Sequence, residues 1–111
     1  MSKAGNIGLV GYGYWGKILY KTLIKLGYKN IVICDANPDS KADVSDFRGL
    51  DVANVLIETP PSTHYEICDH FLRRGTNVFC EKPLVTDIEE AEKLYEVAHK
   101  TGAKLFTDWT F

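Results

Sequence analysis

No charge of one sign dominates this chain. Thirteen Lys and Arg stand against fifteen Asp and Glu, for a net charge of −2. That balance leaves no basic footprint for nucleic acid and no electrostatic reason to seek an anionic membrane. No apolar run approaches the ~20 residues of a bilayer span, and the N-terminus lacks the apolar stretch and cleavage site of a signal peptide. A cytoplasmic location without a membrane partner is therefore expected. Cysteine is sparse: Cys34, Cys68 and Cys80 are odd in number and form no C-x-x-C. Free, mostly buried thiols are expected rather than a disulfide framework, and no metal site is expected. No positioned base stands near any of the three, which argues against a catalytic thiol. No repeat, linker or low-complexity tract divides the sequence. Residues 1–111 are read as one domain, large enough for a core.

What is present centres on Asn6-Ile7-Gly8-Leu9-Val10-Gly11-Tyr12-Gly13-Tyr14-Trp15-Gly16. The apolar run 7–10 reads as a buried parallel strand, followed by G-x-G-x-x-G and a helix. Gly11 permits a tight turn off the strand. Gly13 lets backbone approach a pyrophosphate with no Cβ in the way, and Gly16 lets the helix pack closely on the sheet. The amides around Tyr14 and Trp15 open a helix, where orphan donors and the dipole favour a phosphate. Glycine-rich turns also occur for structural reasons alone. Here a second apolar strand, 30–35, ends in Asp35, 19 residues past Gly16. That matches the ~20-residue spacing at which a carboxylate meets the adenosine ribose. The plain alternative is that Asp35 is a common strand-end turn residue.

Further along, Ile18, Leu19, Leu23 and Leu26 predict one helical face, and Gly27 is placed to close the helix. Only 16 residues, 36–51, precede the next strong strand. That is too few for a crossover helix plus another strand and its own helix, so the helix after strand two is expected to be missing. Asn37-Pro38-Asp39 reads as a turn, 42–45 as a short edge strand and 46–50 as a single helical turn. A strand is predicted over 52–59 and a helix over 62–74 with Ile67, Cys68, Phe71 and Leu72 inward. Another strand follows over 77–80. Thr86 and Glu89 suggest a capping box opening a helix to about 100, with Ile88, Ala91, Leu94, Tyr95 and Ala98 inward. Residues 103–107 form the last predicted strand. This alternation predicts an α/β fold: a Rossmann-like, doubly wound parallel sheet in three αβα layers, in the order 3-2-1-4-5-6 and shortened after strand two.

The glycine turn, Asp35, Thr59-Pro60-Pro61 with His64, and Glu81-Lys82-Pro83 all fall at carboxyl ends of predicted strands, where ligands of such sheets gather. In this order, VGYGYWGK, ETPPSTHYE and CEKPL resemble the N-terminal domain of the Gfo/Idh/MocA oxidoreductases (glucose–fructose oxidoreductase, inositol dehydrogenase, MocA). The tyrosine–tryptophan version of the turn is similar to members acting on nucleotide-linked or other modified sugars. The likeness spans the chain except residues 36–51.

The resemblance implies a nicotinamide dinucleotide as cofactor, with its pyrophosphate on Gly11, Gly13, Gly16 and the amides of Tyr14 and Trp15. Asp35 would accept from the adenosine ribose, which favours NAD over NADP. Thr59 and Pro60 would line the path to the nicotinamide with His64 close by. Glu81 would contact the nicotinamide-side ribose, and Lys82 would be the catalytic residue at the reacting centre, followed by a cis Lys82–Pro83 peptide. A lysine suits that place because its cation polarises a substrate oxygen and its proton affinity moves with burial. Taken alone, His64 is equally a solvated residue or a local hydrogen-bonder, and Lys82 one surface lysine among many.

The implied reaction is hydride transfer between a sugar-type hydroxyl carbon and the nicotinamide. The family's second domain, which would supply the sugar or nucleotide-sugar pocket, has no counterpart in 1–111, so the chain alone is expected to be inactive. Asp108 to Phe111 resemble the segment leaving the cofactor domain. Phe106, Trp109 and Phe111 are expected to drive association into a homo-oligomer, against a frayed terminus as the plain alternative. The rival functions are a standalone dinucleotide sensor and an interaction remnant that has lost the cofactor.

Overall fold

The computed structural model describes residues 6–107. Five parallel strands form one sheet: β1 (Ile7–Val10), β2 (Ile31–Cys34), β3 (Asn54–Ile57), β4 (Asn77–Cys80) and β5 (Leu105–Thr107), in the order β2-β1-β3-β4-β5. Three helices connect them: α1 (Tyr14–Lys25), α2 (His64–Arg73) and α3 (Ile88–Thr101). The crossover through α1 runs one way along the sheet from β1, and those through α2 and α3 run the other. Right-handed crossovers of opposite direction place helices on opposite faces. The result is the expected three-layer Rossmann arrangement. No helix among the described residues is long and apolar enough to cross a membrane.

Residues 36–51 account for the shortened region. No helix follows β2; two 3-10 turns, Pro38–Ser40 and Phe47–Gly49, take its place. Each opens on a side chain that bonds the backbone two residues on. Asn37 Oδ1 accepts from the Asp39 N–H at 3.0 Å, and Asp46 Oδ1 from the Arg48 N–H at 3.0 Å. Such local bonds let short segments turn without a packed helix. The predicted edge strand is reduced to one parallel bridge, Cys34 with Val44. Beside it the Asp43 carboxylate accepts from the Ile33 N–H at 2.8 Å, filling an edge position that another backbone carbonyl would otherwise hold. The third position of the expected order is thus this bridge, and the strands expected as four, five and six are β3, β4 and β5.

The principal core lies on the α2/α3 face. Val10, Val55, Ile57, Val78 and Cys80 meet Ile67, Phe71, Leu72, Leu94 and Ala98, all buried. The inward face expected of α2 is therefore correct. That of α3 holds in part: Leu94 and Ala98 are buried and Ala91 packs against the core, but Ile88 is 76% exposed and Tyr95 46%. The cap is also one residue later than expected, since Asp87 accepts from the Glu89 N–H at 2.9 Å and no Thr86 capping box forms. Ile88 consequently opens the first turn and lies outside the apolar stripe. On the other face, α1 buries only Gly16 and Leu23, while Ile18 and Leu26, expected inward, are exposed. With no second helix beside α1, its stripe has only β1 and β2 to cover.

Candidate functional site

The turn from β1 to α1 shows a separate cause for each glycine. At Gly11 φ is +102°, and a Cβ would come within 2.8 Å of the Glu58 carbonyl carbon at the end of β3. A Cβ on Gly16 would overlap the Gly11 carbonyl oxygen, so the close approach is to the turn itself rather than to the sheet. Both glycines are required by the protein's own packing. At Gly13 a Cβ would meet nothing within 4 Å. The fold gives no steric reason for glycine there, and the open side is where an approaching ligand would need the space. Gly13 is also the N-cap of α1 and supplies no capping side chain. The first helical amides, including those of the exposed Tyr14 and Trp15, therefore lack the oxygen that a Ser or Asp cap would provide.

Asp35 is fixed at the end of β2. Its Oδ2 accepts from the Tyr12 N–H at 2.7 Å and its Oδ1 from the Asn37 N–H at 2.8 Å. One carboxylate thereby ties the glycine turn to the start of the shortened region. A carboxylate oxygen accepts more than one hydrogen bond, so capacity remains for ribose hydroxyls. The turn-residue reading and the ligand reading of Asp35 are thus compatible.

Thr59 and Pro60 follow β3. The Thr59 and Thr63 hydroxyls lie 2.6 Å apart, and Thr63 Oγ1 is 2.7 Å from the Pro60 carbonyl. His64 is fully buried, not solvated. Its Nε2 is 2.8 Å from the Thr59 carbonyl, and its Nδ1 is 2.8 Å from the Pro83 carbonyl and 3.0 Å from that of Leu84. Glu81 donates its N–H to the Ile57 carbonyl at 3.0 Å, and its Oε1 lies 3.2 Å from the Lys82 N–H. Lys82 is exposed, and the Lys82–Pro83 peptide is cis, as expected.

A groove of about 440 Å³ runs along the carboxyl ends of β1, β2 and β3, lined by Gly11, Gly13, Asp35, Thr59 and Pro60 among others. Five of the predicted positions thus share one cavity. Glu81 and Lys82 are not in its lining and join it through the His64 bridge to Thr59. Ser45, Phe47 and Thr63 also line the groove, and sequence reasoning assigned them no role. The signals were local: an Asx turn at Asp46 that presents Phe47, and a threonine four residues after Thr59. Phe47 stands edge-on to His70, ring centroids 5.3 Å apart, with the Arg48 guanidinium 4.4 Å over its ring. The shortened region therefore still supplies one apolar wall.

All three cysteines are free and buried. Cys34 borders the groove, and burial, with the Asp35 and Asp46 carboxylates nearby, pushes its thiol up to about 11. The neutral thiol is not a nucleophile at physiological pH. Contact with Cys68 and burial push Cys80 up as well. Among the described residues no group of three or more His, Cys, Asp or Glu could hold a metal ion.

The geometry and the motifs agree with a sequence profile that matches residues 5–108, that of the Gfo/Idh/MocA oxidoreductase family, NAD-binding Rossmann fold. The chain belongs to this family. It is 30% identical over 113 residues to the inositol 2-dehydrogenase of Rhizobium meliloti, covering 90% of this chain and 34% of that protein. A Gfo/Idh/MocA family oxidoreductase from Vibrio cholerae superposes with a TM-score of 0.79 at 25% identity, covering 93% of this chain and 38% of its own. The WlbA dehydrogenase of Bordetella pertussis, solved in complex with NADH and UDP-GlcNAcA, shares the fold with a TM-score of 0.81 at 23% identity, covering 92% and 35%. The chain spans about a third of the length of these relatives. It corresponds to the NAD-binding domain of the Gfo/Idh/MocA family.

Proposed function

We propose that this chain is the cofactor domain of a cytoplasmic oxidoreductase that moves a hydride between a sugar-type hydroxyl carbon and a nicotinamide, with NAD preferred over NADP. The observation that carries the reading is the convergence of Gly11, Gly13, Asp35, Thr59 and Pro60 on one groove at the strand ends. The residues fit a dinucleotide: an uncapped helix start beside an open Gly13 for the diphosphate, and a fixed carboxylate for the ribose. When bound, the nicotinamide supplies the hydride acceptor or donor. The protein's part is to hold it. Gly11, Gly13 and Gly16, with the Tyr14 and Trp15 amides, bind the pyrophosphate, and Asp35 binds the adenosine ribose. Thr59, Pro60 and Glu81 line the nicotinamide half, and the Lys82 ammonium orients and polarises the substrate oxygen.

The preference for NAD rests on the Asp35 charge, which repels a 2′-phosphate, with Lys41 the first basic residue after it. Titration calorimetry with NADH and NADPH at one ionic strength is expected to show tighter binding of NADH. Tighter binding of NADPH overturns the preference, and binding of neither overturns the cofactor assignment.

The sugar or nucleotide-sugar pocket belongs to a second domain, so the 111-residue chain binds cofactor without sustained turnover. Hydride transfer needs donor and acceptor carbons held in near-attack geometry. Sustained NADH production from a sugar panel, abolished by Lys82→Ala, would contradict this. The same reading includes self-association through the β5 edge, where Phe106 is exposed. Trp109 and Phe111, the other aromatics named in that expectation, lie outside the described residues. Sedimentation velocity of the chain at tens of micromolar is expected to show a species heavier than the monomer.

A further inference from the structure

Beyond Ile57 and Cys80 the register of β3 with β4 stops, and the two strands lead into different loops. One carries Thr59 and Pro60; the other carries Glu81 and Lys82. Neither loop has a regular ladder to hold it against its neighbour. The space between their carbonyls is filled by the imidazole of His64, with no exposed surface. Its Nε2 lies 2.8 Å from the Thr59 carbonyl, and its Nδ1 lies 2.8 and 3.0 Å from the carbonyls of Pro83 and Leu84.

All three neighbours are carbonyl oxygens, which only accept, so every bond here is donated by the ring. The neutral ring has one N–H, which ties it either to the Thr59 loop from Nε2 or to the Lys82 loop from Nδ1, with the ring body packed against the other; only the imidazolium ties both at once. A leucine or phenylalanine would fill this place on α2, beside Ile67 and Cys68, without needing a partner. A buried polar ring is costly unless it is bonded, so its value lies in the bonds. Those bonds run only to the two loops that the proposed cofactor reading assigns to the nicotinamide end.

We infer that His64 is a positioning residue for Lys82. It is a buried brace that sets the separation of the Thr59 and Lys82 loops and so shapes the nicotinamide half of the groove, leaving the adenosine half alone. It touches neither cofactor nor substrate. This rests on the cofactor reading for its consequence in binding, although the brace itself is a property of the ligand-free chain.

Two variants of the 111-residue chain test it. His64→Phe keeps a ring of similar size and removes the ring nitrogens with any N–H they donate; His64→Gln keeps a side-chain N–H donor. Amide hydrogen exchange without ligand is read at Lys82, Leu84 and Val85, and at Leu9 and Ile57 as strand references. Affinity is read for NADH and for ADP-ribose, which lacks the nicotinamide. In His64→Phe the loop amides are expected to exchange about tenfold faster, with the strand references unchanged. NADH binding weakens about tenfold while ADP-ribose stays within about twofold, the effect of losing one buried hydrogen bond. His64→Gln recovers part of both effects, which a role in packing alone would not produce.

Equal weakening of NADH and ADP-ribose, or loop exchange and NADH affinity that stay at wild-type values, overturns the inference. If the Phe variant does not fold, the Gln variant against wild type decides by the same split. If wild type binds neither ligand, the cofactor reading fails, and loop exchange still decides whether the brace exists.

Discussion

The two faces of the sheet are built to different standards. On the α2/α3 side, two helices pack against each other and against β1, β3 and β4, and Phe71, Leu72, Leu94 and Cys68 have no exposed surface. On the α1 side a single helix buries Gly16 and Leu23 and leaves Ile18 and Ile24 partly exposed and Leu26 mostly so. The difference follows from the chain between β2 and β3, which is long enough to cross β1 but too short to lay down a helix beside α1. Stability is concentrated on one face, while the turn at the start of α1, which bears the cofactor motif, rests on the thinner one. The glycine turn is therefore held by close backbone contact at Gly11 and Gly16 rather than by a wide apolar stripe.

Truncating a side chain on each face should expose this asymmetry most sharply. Phe71→Ala, in the packed face, is expected to cost about 3–5 kcal/mol, the usual range for deleting a buried aromatic. Ile18→Ala, in the thin face, should stay within about 0.5 kcal/mol, as for an exposed substitution. Urea unfolding of both variants measures the contrast; equal losses would mean that α1 is more firmly packed than its exposure indicates.

A smaller effect separates structure from ligand binding within the glycine turn. Gly16→Ala drives a Cβ into the Gly11 carbonyl and should destabilise the fold by roughly 1–3 kcal/mol, as overpacking does. Gly13→Ala meets open space. It should leave unfolding within about 0.5 kcal/mol yet weaken NADH binding by about tenfold or more, because the Cβ occupies the approach to the diphosphate. Wild-type NADH affinity in Gly13→Ala would remove the turn from the binding site.

The smallest expected effect is a pH dependence on the packed face. His70 stands against Phe47 and Phe71, and its Nε2 is buried with no hydrogen-bond partner among the described residues. Burial first, then the Arg74 and Arg48 charges, lower its proton affinity below the ordinary value of 6.5. The folded state thus prefers the neutral ring. This contribution is complete above about pH 6.5 and is lost as pH falls through the lowered folded value. Thermal unfolding between pH 7.5 and 5 should show a decline in Tm that His70→Phe flattens. An identical decline in the variant would assign it to other groups.

Strand and helix order was legible because apolar runs and glycine stops are local signals, and so was the loss of a helix after β2, which is a matter of chain length. The motifs at the strand ends were legible too, since each is a short pattern at a fixed offset from a strand. The inward faces of α1 and α3 were misread at Ile18, Leu26, Ile88 and Tyr95. A helical stripe shows which residues share a side, but not how far the neighbouring sheet extends to cover it.

By itself the sequence determined the parallel α/β architecture, the place of the glycine turn and the clustering of Asp35, Thr59 and Lys82 at one end of the sheet. These follow from periodicity, chain length and the rule that strand ends meet at one edge. Only the tertiary structure decided that Gly16 answers to the Gly11 carbonyl, that Phe47 walls the groove, and that His64 is enclosed between two loops. Each of these depends on a contact between residues distant in sequence or on the exact course of a turn. Side-chain type alone says nothing about which carbonyl a buried ring will meet.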